Sequence, residues 1–363
     1  MAVGITDLKQ VILLPTTWDL AYMKQWQTVD GMGFDQLVSR VGAALTLFNR
    51  SLTQGYWAQY FYSTTESEFE YPVGGASDEL EKTSEYTRPD PLKGESSGHM
   101  IPMHDYGGAM SWTYMAMRRG KADKLLLGVR RLVEKAQNTW QRRLIERLFH
   151  STAETVGTTG VSVPFADGGV ADARYIPPYY DGRTFLNTHN HFARTTDDSA
   201  GRVASVTAGF THLREHGIMP PYEMIIPEAD VALWAAEDEF VPPVRGSIIT
   251  AGIEVRGEIS EDMYIGLWED ATWGVARVRT EPRLPANYMG LFKPAGQGSP
   301  QSPEVIRYEP GYPLGLALVG EVKNFPLQDS IAYLTFGNGI ANRLAGYCVY
   351  YAAGGAYTDP VIT

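Results

Sequence analysis

Between Gly120 and His150 helical spacing never breaks. Leu125, Val129, Leu132, Val133, Ala136, Trp140, Leu144, Ile145 and Leu148 form one apolar stripe, and no proline intervenes. At 1.5 Å per residue such a helix is about 45 Å long, more than a small domain's diameter. It predicts a strut, continuous from about Lys121 to His150, around which the other elements are arranged. Arg130, Arg131, Lys135, Arg142, Arg143 and Arg147 crowd its remaining faces. A solvated face is the ordinary reading of such residues. Their density nevertheless favours pairing with acidic groups of a neighbouring molecule, and Arg130, Arg131, Arg142 and Arg143 are the candidates.

Upstream, Leu37, Val38, Val41, Ala44, Leu45 and Phe48 recur at three- and four-residue steps and predict a short amphipathic helix from Phe34 to Phe48. Trp18, Tyr22 and Trp26 precede it in what reads as an extended arm. The aromatic run YWAQYFY (Tyr56 to Tyr62) predicts a strand. From Gly74 to Gly98 only Leu80, Tyr86 and Leu92 are sizeable apolar residues, and an alternation resumes at Ala109 to Tyr114. A loop of roughly 25 residues without structure of its own is uncommon in a compact domain unless it is functional or disordered. The flanking strands therefore imply a long two-stranded excursion. Ordering such a segment costs about 1–2 kcal/mol per residue, more than its few apolar side chains offset. Its charges, among them Glu81, Lys82, Glu85, Arg88, Lys93 and Glu95, suit a polar contact with neighbours.

Beyond the long helix, the Gly-, Pro- and Tyr-rich stretch Pro164 to Asp181 reads as loop or short strands. A second helix begins near Ser199, capped by Asp198 or Ser199, carries Val203, Val206, Phe210 and Leu213, and stops at Gly217. Glu223 to Ile226 reads as a buried strand. PEADVALWAAEDEF reads as a helix opened by Pro227, and Met263 to Trp268 and Trp273 to Arg279 as further strands. IRYEP, LGLALVGEV, IAYLTF and GYCVYYA are short strands, with Phe336-Gly337-Asn338-Gly339 read as a turn. The class is α+β, with a mixed α/β unit inserted in a discontinuous domain.

Composition narrows the function. With 31 basic against 42 acidic residues the formal net charge is −11, which argues against a sequence-reading nucleic-acid binder but not against a container. The apolar run Val11 to Leu14 is too short for a signal peptide, and no segment approaches the ~20 apolar residues of a membrane helix, so a soluble protein made in the cytoplasm is expected. Cys348 is the single cysteine, which rules out an intrachain disulfide. It has no neighbouring His or Lys to activate it and reads as a buried structural thiol.

The histidines supply the one pattern pointing to chemistry. His189-Asn190-His191 is an H-x-H pair, and His212 and His216 stand four apart, on one face of a helix. Together they offer a metal-dependent hydrolase as an alternative reading. No H-E-x-x-H pattern accompanies them, and His216 has a plain role as a positive charge in a last helical turn. The sequence therefore assigns no catalytic, cofactor or metal residue. Gly337 and Gly339 are not a phosphate loop, since no Lys-Ser or Lys-Thr follows.

The segment order resembles one family: the Hong Kong 97-type major capsid proteins of tailed bacteriophages. GVRRLVEKAQNTWQRRLIERLF looks like that family's spine helix. IIPEADVALWA and the MYIGLWEDATWGVARVRTEPRLPANYMGLFKP stretch resemble its axial domain, and FGNGIANRLAGYCVYYAAGGAYTDPVI its final strands. The resemblance covers nearly the whole chain and rests on collinearity. It implies an N-terminal arm (1–54), an extended E-loop (55–115), a peripheral domain with the spine helix (116–190), an axial domain (191–300) and returning peripheral strands (301–363). It also implies a non-enzymatic subunit without cofactor, self-assembling through hexamers and pentamers into an icosahedral virion shell in the host cytoplasm. The shell would enclose double-stranded DNA bound non-specifically and touch no membrane. A portal and a decoration protein are further partners implied, and because the sequence opens at Met1 without a charged helical preface, scaffolding is expected to come from a separate protein or to be dispensable. An encapsulin-like nanocompartment shell is the alternative within the fold. Some family members crosslink a loop Lys to an Asn of a neighbour. Lys82 or Lys93 with Asn338 or Asn342 would be the pair here, though solvated lysines are the ordinary reading.

Overall fold

The computed structural model describes residues 27–74, 95–110, 119–156, 160–242, 247–250, 253–256, 264–270, 274–319 and 330–363. The expected arm with Trp18, Tyr22 and Trp26, the loop charges from Glu81 to Lys93, and the alternation beyond Met110 lie outside these residues. So do Met263 and Trp273, the first residues of two expected strands. The chain divides into two compact units: Met1–Gly55 with His104–Trp140 and Tyr308–Phe336, and Tyr56–Met103 with Gln141–Arg307 and Gly337–Thr363.

In the first unit, helix α1 (Phe34–Gln54) buries Leu37, Val41, Leu45, Phe48 and Leu52. It outruns the expected Phe48 end because Leu52 prolongs the stripe, and it stops where the Gly55 N–H closes on the Ser51 carbonyl. Asn49 anchors it by two amide bonds to the backbone of Leu316, donating to the carbonyl at 3.1 Å and accepting from the N–H at 2.8 Å. Leu316 opens the strand Leu316–Val319, which pairs antiparallel with Ser330–Ile340, whose other edge takes His104–Met110. Helix α2 (Ala122–Phe149) is the predicted strut. The Asp30 carboxylate accepts the N–H of Ala122 in its first turn, where a negative charge also suits the helix dipole. Trp140, 2% exposed, packs on Phe336 with ring centroids 4.6 Å apart.

The second unit is built on a seven-stranded mixed sheet, in the order Phe192–Thr195, Gly346–Tyr351, Tyr288–Phe292, Tyr222–Pro227, Gly274–Glu281, Tyr264–Asp270, Phe240–Val241. Every residue of Tyr222–Pro227 is buried, as expected of a strand covered on both faces. Tyr222, Met224 and Ile226 share one core with Val206, Phe210 and Leu213 of helix α3 (Ser199–Glu215). On the other face, Phe292 meets Phe149 at the end of α2, at 5.4 Å between centroids. Asp198 caps α3 by accepting from the Gly201 N–H at 2.6 Å, and Gly217 (φ 74°) follows the helix in the left-handed region. A smaller sheet orders Glu68–Val73, Glu95–Met100, Gly160–Ser162 and Glu154–Val156.

Three local expectations are corrected. Tyr56–Gln59 is a single 3-10 turn, and the strand there is only Phe61–Thr64. The turn brings the Tyr56 and Tyr60 hydroxyls onto one Glu223 carboxylate, whereas a strand would set these two residues about 13 Å apart on one face. The helix after Pro227 shrinks to Glu228–Asp230 and Val231–Trp234. Pro227 closes the preceding strand, and Trp234 is buried against Trp268. Phe336 to Gly339 is no turn: it lies inside the strand Ser330–Ile340, which pairs onward with Glu304–Arg307. Gly337 is needed for close approach, not for positive φ, since a Cβ there would sit 1.8 Å from the Pro102 carbonyl oxygen.

Candidate functional site

The predicted contact residues of α2 are mostly on the surface. Arg130, Arg131 and Arg142 are exposed. Arg142 stands 3.8 Å from Glu146 one turn on. Arg143 is largely buried and serves its own chain: its guanidinium bridges Glu146 at 3.2 Å and Glu154 at 2.5 Å, and its carbonyl accepts from the Asn338 amide at 2.8 Å. Asn338 is 1% exposed, so its amide is occupied indoors and cannot meet a neighbour's lysine.

The expected excursion would start from a strand pair. Glu68–Val73 and Glu95–Met100 pair antiparallel from Glu68 opposite Met100 to Val73 opposite Glu95, leaving 74–94 as the connection. The paired strands thus sit closer to the connection than the Tyr56 and Ala109 signals implied. Of the loop charges named from sequence, Glu95 opens the second strand and the others lie outside the described residues.

A charged hub that sequence reasoning missed holds this root. Arg343 is 1% exposed, donates from Nε to the Pro164 carbonyl at 3.1 Å, and pairs through Nη2 with Asp167 at 3.3 Å. Its guanidinium lies 4.0 Å from the centre of the Tyr175 ring and 4.0 Å from Asp172. Asp172 in turn accepts from Tyr71 and Ser97, one residue on each root strand, both at 2.9 Å. Burial would push the Asp172 carboxyl up, but the bonds from Ser97, the Arg174 N–H and Tyr71, with Arg343 beside them, hold it below the ordinary value. The signal available in the sequence was weak: one arginine in the apolar run from Ile340 to Tyr351.

Of the four histidines, three come together. His189 and His191 end the loop before Phe192–Thr195, and His216 is the C-cap residue of α3. Their Nε2 atoms form a triangle with edges of 3.1 Å (His189 to His191), 3.1 Å (His191 to His216) and 2.8 Å (His216 to His189). Nδ1 of His191 donates to the Gly346 carbonyl at 2.7 Å. His212 does not converge: its Nδ1 lies 3.1 Å from the Ala208 carbonyl and its ring stacks on His189. Burial, then the imidazoles of His189 and His212, lower His216 to about 3, so it carries no positive charge for the helix end and the plain role expected for it fails. Burial and His212 lower His189 to about 4, and burial with the neighbouring imidazoles takes His191 well below its ordinary value. Cys348 is buried, with burial raising its thiol and Sγ on the Leu148 carbonyl at 3.3 Å, as expected of a structural residue.

No family model and no curated protein matches the chain. Among solved structures it is similar to one from Mycobacterium phage Patience, at 18% identity and a TM-score of 0.61, over 92% of each chain. It is also similar to the mature capsid of bacteriophage PhiM1, at 9% identity and 0.48, over 83% of this chain and 88% of that one. The SrpI encapsulin complex from Synechococcus elongatus follows at 10% identity and 0.42, over 99% of each chain. The chain shares its fold with the Mycobacterium phage Patience structure, and that likeness is the comparison on which the fold assignment rests.

Proposed function

We propose that this chain is the major capsid protein of a tailed bacteriophage, a non-enzymatic subunit whose copies tile an icosahedral head around double-stranded DNA. The observation that carries the reading is the likeness to the Patience phage structure along nine-tenths of both chains. In this reading residues 1–54 are the arm and 55–115 the E-loop. Residues 116–190 and 301–363 make the peripheral domain, and 191–300 the axial domain. The paired root at Glu68–Val73 and Glu95–Met100, pinned by Arg343 and Asp172, supports a loop that leaves a rigid base to reach a neighbour. Contacts would run through Glu81, Lys82, Glu85, Arg88, Lys93 and Glu95 of the loop, and through Arg130, Arg131 and Arg142 of α2. Arg143 stays with its own chain.

Self-association with hexameric and pentameric symmetry follows from this role, with a scaffolding protein, a portal and a decoration protein as partners. A net charge of −11 makes any grip on DNA weak and salt-sensitive, which suits a wall that leaves packaged DNA mobile. Negative-stain microscopy of the purified protein tests the reading: closed icosahedral shells are expected, and monomers under every assembly condition would refute it. Shells that package a protein cargo and no nucleic acid would favour the encapsulin-like alternative.

A further inference from the structure

We propose that His189, His191 and His216 bind one divalent transition-metal ion of the zinc type through their three Nε2 atoms, clamping the 187–191 loop to the C-terminal end of α3. Because Nδ1 of His191 donates to the Gly346 carbonyl, its Nε2 carries a lone pair and no proton. That lone pair stands 3.1 Å from both His189 Nε2 and His216 Nε2, which are themselves 2.8 Å apart.

If both of those nitrogens carry protons, their mutual contact sets donor against donor. If only one does, its single proton is shared and the remaining edge sets lone pair against lone pair. If neither does, all three edges are repulsive. No arrangement of protons on neutral imidazoles satisfies all three edges, whereas one cation satisfies every lone pair at once. A tetrahedral ion about 2.0–2.1 Å from each nitrogen would set the edges at about 3.3 Å, so the triangle has only a few tenths of an ångström to open.

Two further features fit a metal centre. A ligating histidine normally donates its other ring nitrogen to a carbonyl or carboxylate, and His191 does so to Gly346. His191 and His216 are buried, which shields the three nitrogens from water. The site is structural and not hydrolytic. Among the described residues no carboxylate joins the three nitrogens, and Glu215, next to His216, is paired with Arg183 at 2.9 Å. The Phe185 ring lies over the cluster, 4.3 Å from His216 and 5.0 Å from His189 between centroids. An ion held here ties the edge strand Phe192–Thr195 to the helix that covers the same sheet.

The test uses tag-free full-length protein, stripped with a chelator and then titrated with Zn²⁺ and, separately, with Co²⁺. About one zinc per chain by elemental analysis, the visible absorption of tetrahedral cobalt, and a zinc-dependent rise in melting temperature are expected. His191→Ala and His216→Ala should weaken zinc binding by more than about 100-fold, beyond the 10–100-fold typical of losing an outer partner. His212→Ala, which removes a stacked ring but no ligand, should leave binding unchanged. If the two buried variants fail to fold, His189→Gln decides, since His189 is the least buried of the three. A stripped wild type that takes up no zinc overturns the proposal. So does a His189→Gln protein that binds zinc as the wild type does, or a His212→Ala protein that loses it.

Discussion

Replacing Arg343 by Leu tests whether the charged hub holds the loop root. The change removes a guanidinium that is 1% exposed while leaving Asp167, 5% exposed, without its cation at 3.3 Å. Breaking a buried pair on one side costs about 3–5 kcal/mol, because the remaining charge stays desolvated. The lower end applies here, since both carboxylates keep other donors. Asp167 accepts the Ala171 N–H at 2.6 Å, and Asp172 the hydroxyls of Tyr71 and Ser97. About 3 kcal/mol corresponds to roughly two powers of ten in the unfolding equilibrium. Urea unfolding of the dispersed subunit, followed by circular dichroism, reads that loss from the shift in midpoint. Hydrogen exchange reads its location: protection should fall first in Glu68–Val73 and Glu95–Met100, because Tyr71 and Ser97 reach the hub through Asp172. A loss below about 0.5 kcal/mol, within the range of ordinary surface changes, or a uniform rise in exchange, would show that the hub does not hold these strands.

Gly337→Ala should lower the yield of folded protein sharply, since its Cβ would meet the Pro102 carbonyl oxygen, whereas Gly42→Ala, exposed within α1 with nothing near, should stabilise by about 0.5–1 kcal/mol; paired thermal melts compare them. The Asp359 carboxyl, which burial would raise, is held below its ordinary value by bonds from Thr152 and Ser151. Its folded value lies under its unfolded one, so its contribution is complete above the unfolded pKa and disappears as pH falls through the folded one. An Asp359→Asn protein should lack that part of the acid-side decline in a melting-temperature series from pH 6 downward. On the proposed capsid reading, joining Gly74 to Glu95 by a short Gly-Ser turn should leave a folded protein that forms no stable shells; sedimentation and thermal unfolding separate that outcome from misfolding and from normal assembly.

The elements legible in the sequence were those whose burial is one-sided and long. The stripe from Leu125 to Leu148 marked α2, and Asp198 and Gly217 marked the two ends of α3, because caps are local chemistry. Elements decided by distant partners were misread. The aromatic run at Tyr56 favours a strand by propensity, but Glu223, far along the chain, draws two hydroxyls to one point and bends the run into a turn. Phe336 to Gly339 carries turn letters, yet its glycines answer a neighbouring backbone at Pro102, which no local rule contains. Glu68–Val73 alternates Phe69, Tyr71 and Val73 with Glu68, Glu70 and Pro72, a period-two signal present but overlooked beside the louder aromatic run. The histidines illustrate the limit most plainly. Spacing grouped them into two pairs, whereas the fold takes both members of one pair, a single member of the other, and turns His212 aside to the Ala208 carbonyl.

The strand pairings also set a timetable for synthesis. Phe61–Thr64 lies parallel to Glu304–Arg307, and Phe192–Thr195 lies parallel to Gly346–Tyr351, a strand near the end of the chain. Asn49 waits for Leu316. In a polypeptide emerging from the ribosome, Phe61–Thr64 and Phe192–Thr195 therefore wait for partners made much later, and long-range pairing of this kind is slow to nucleate. The sheet of the second unit is completed only when Gly346–Tyr351 has been made.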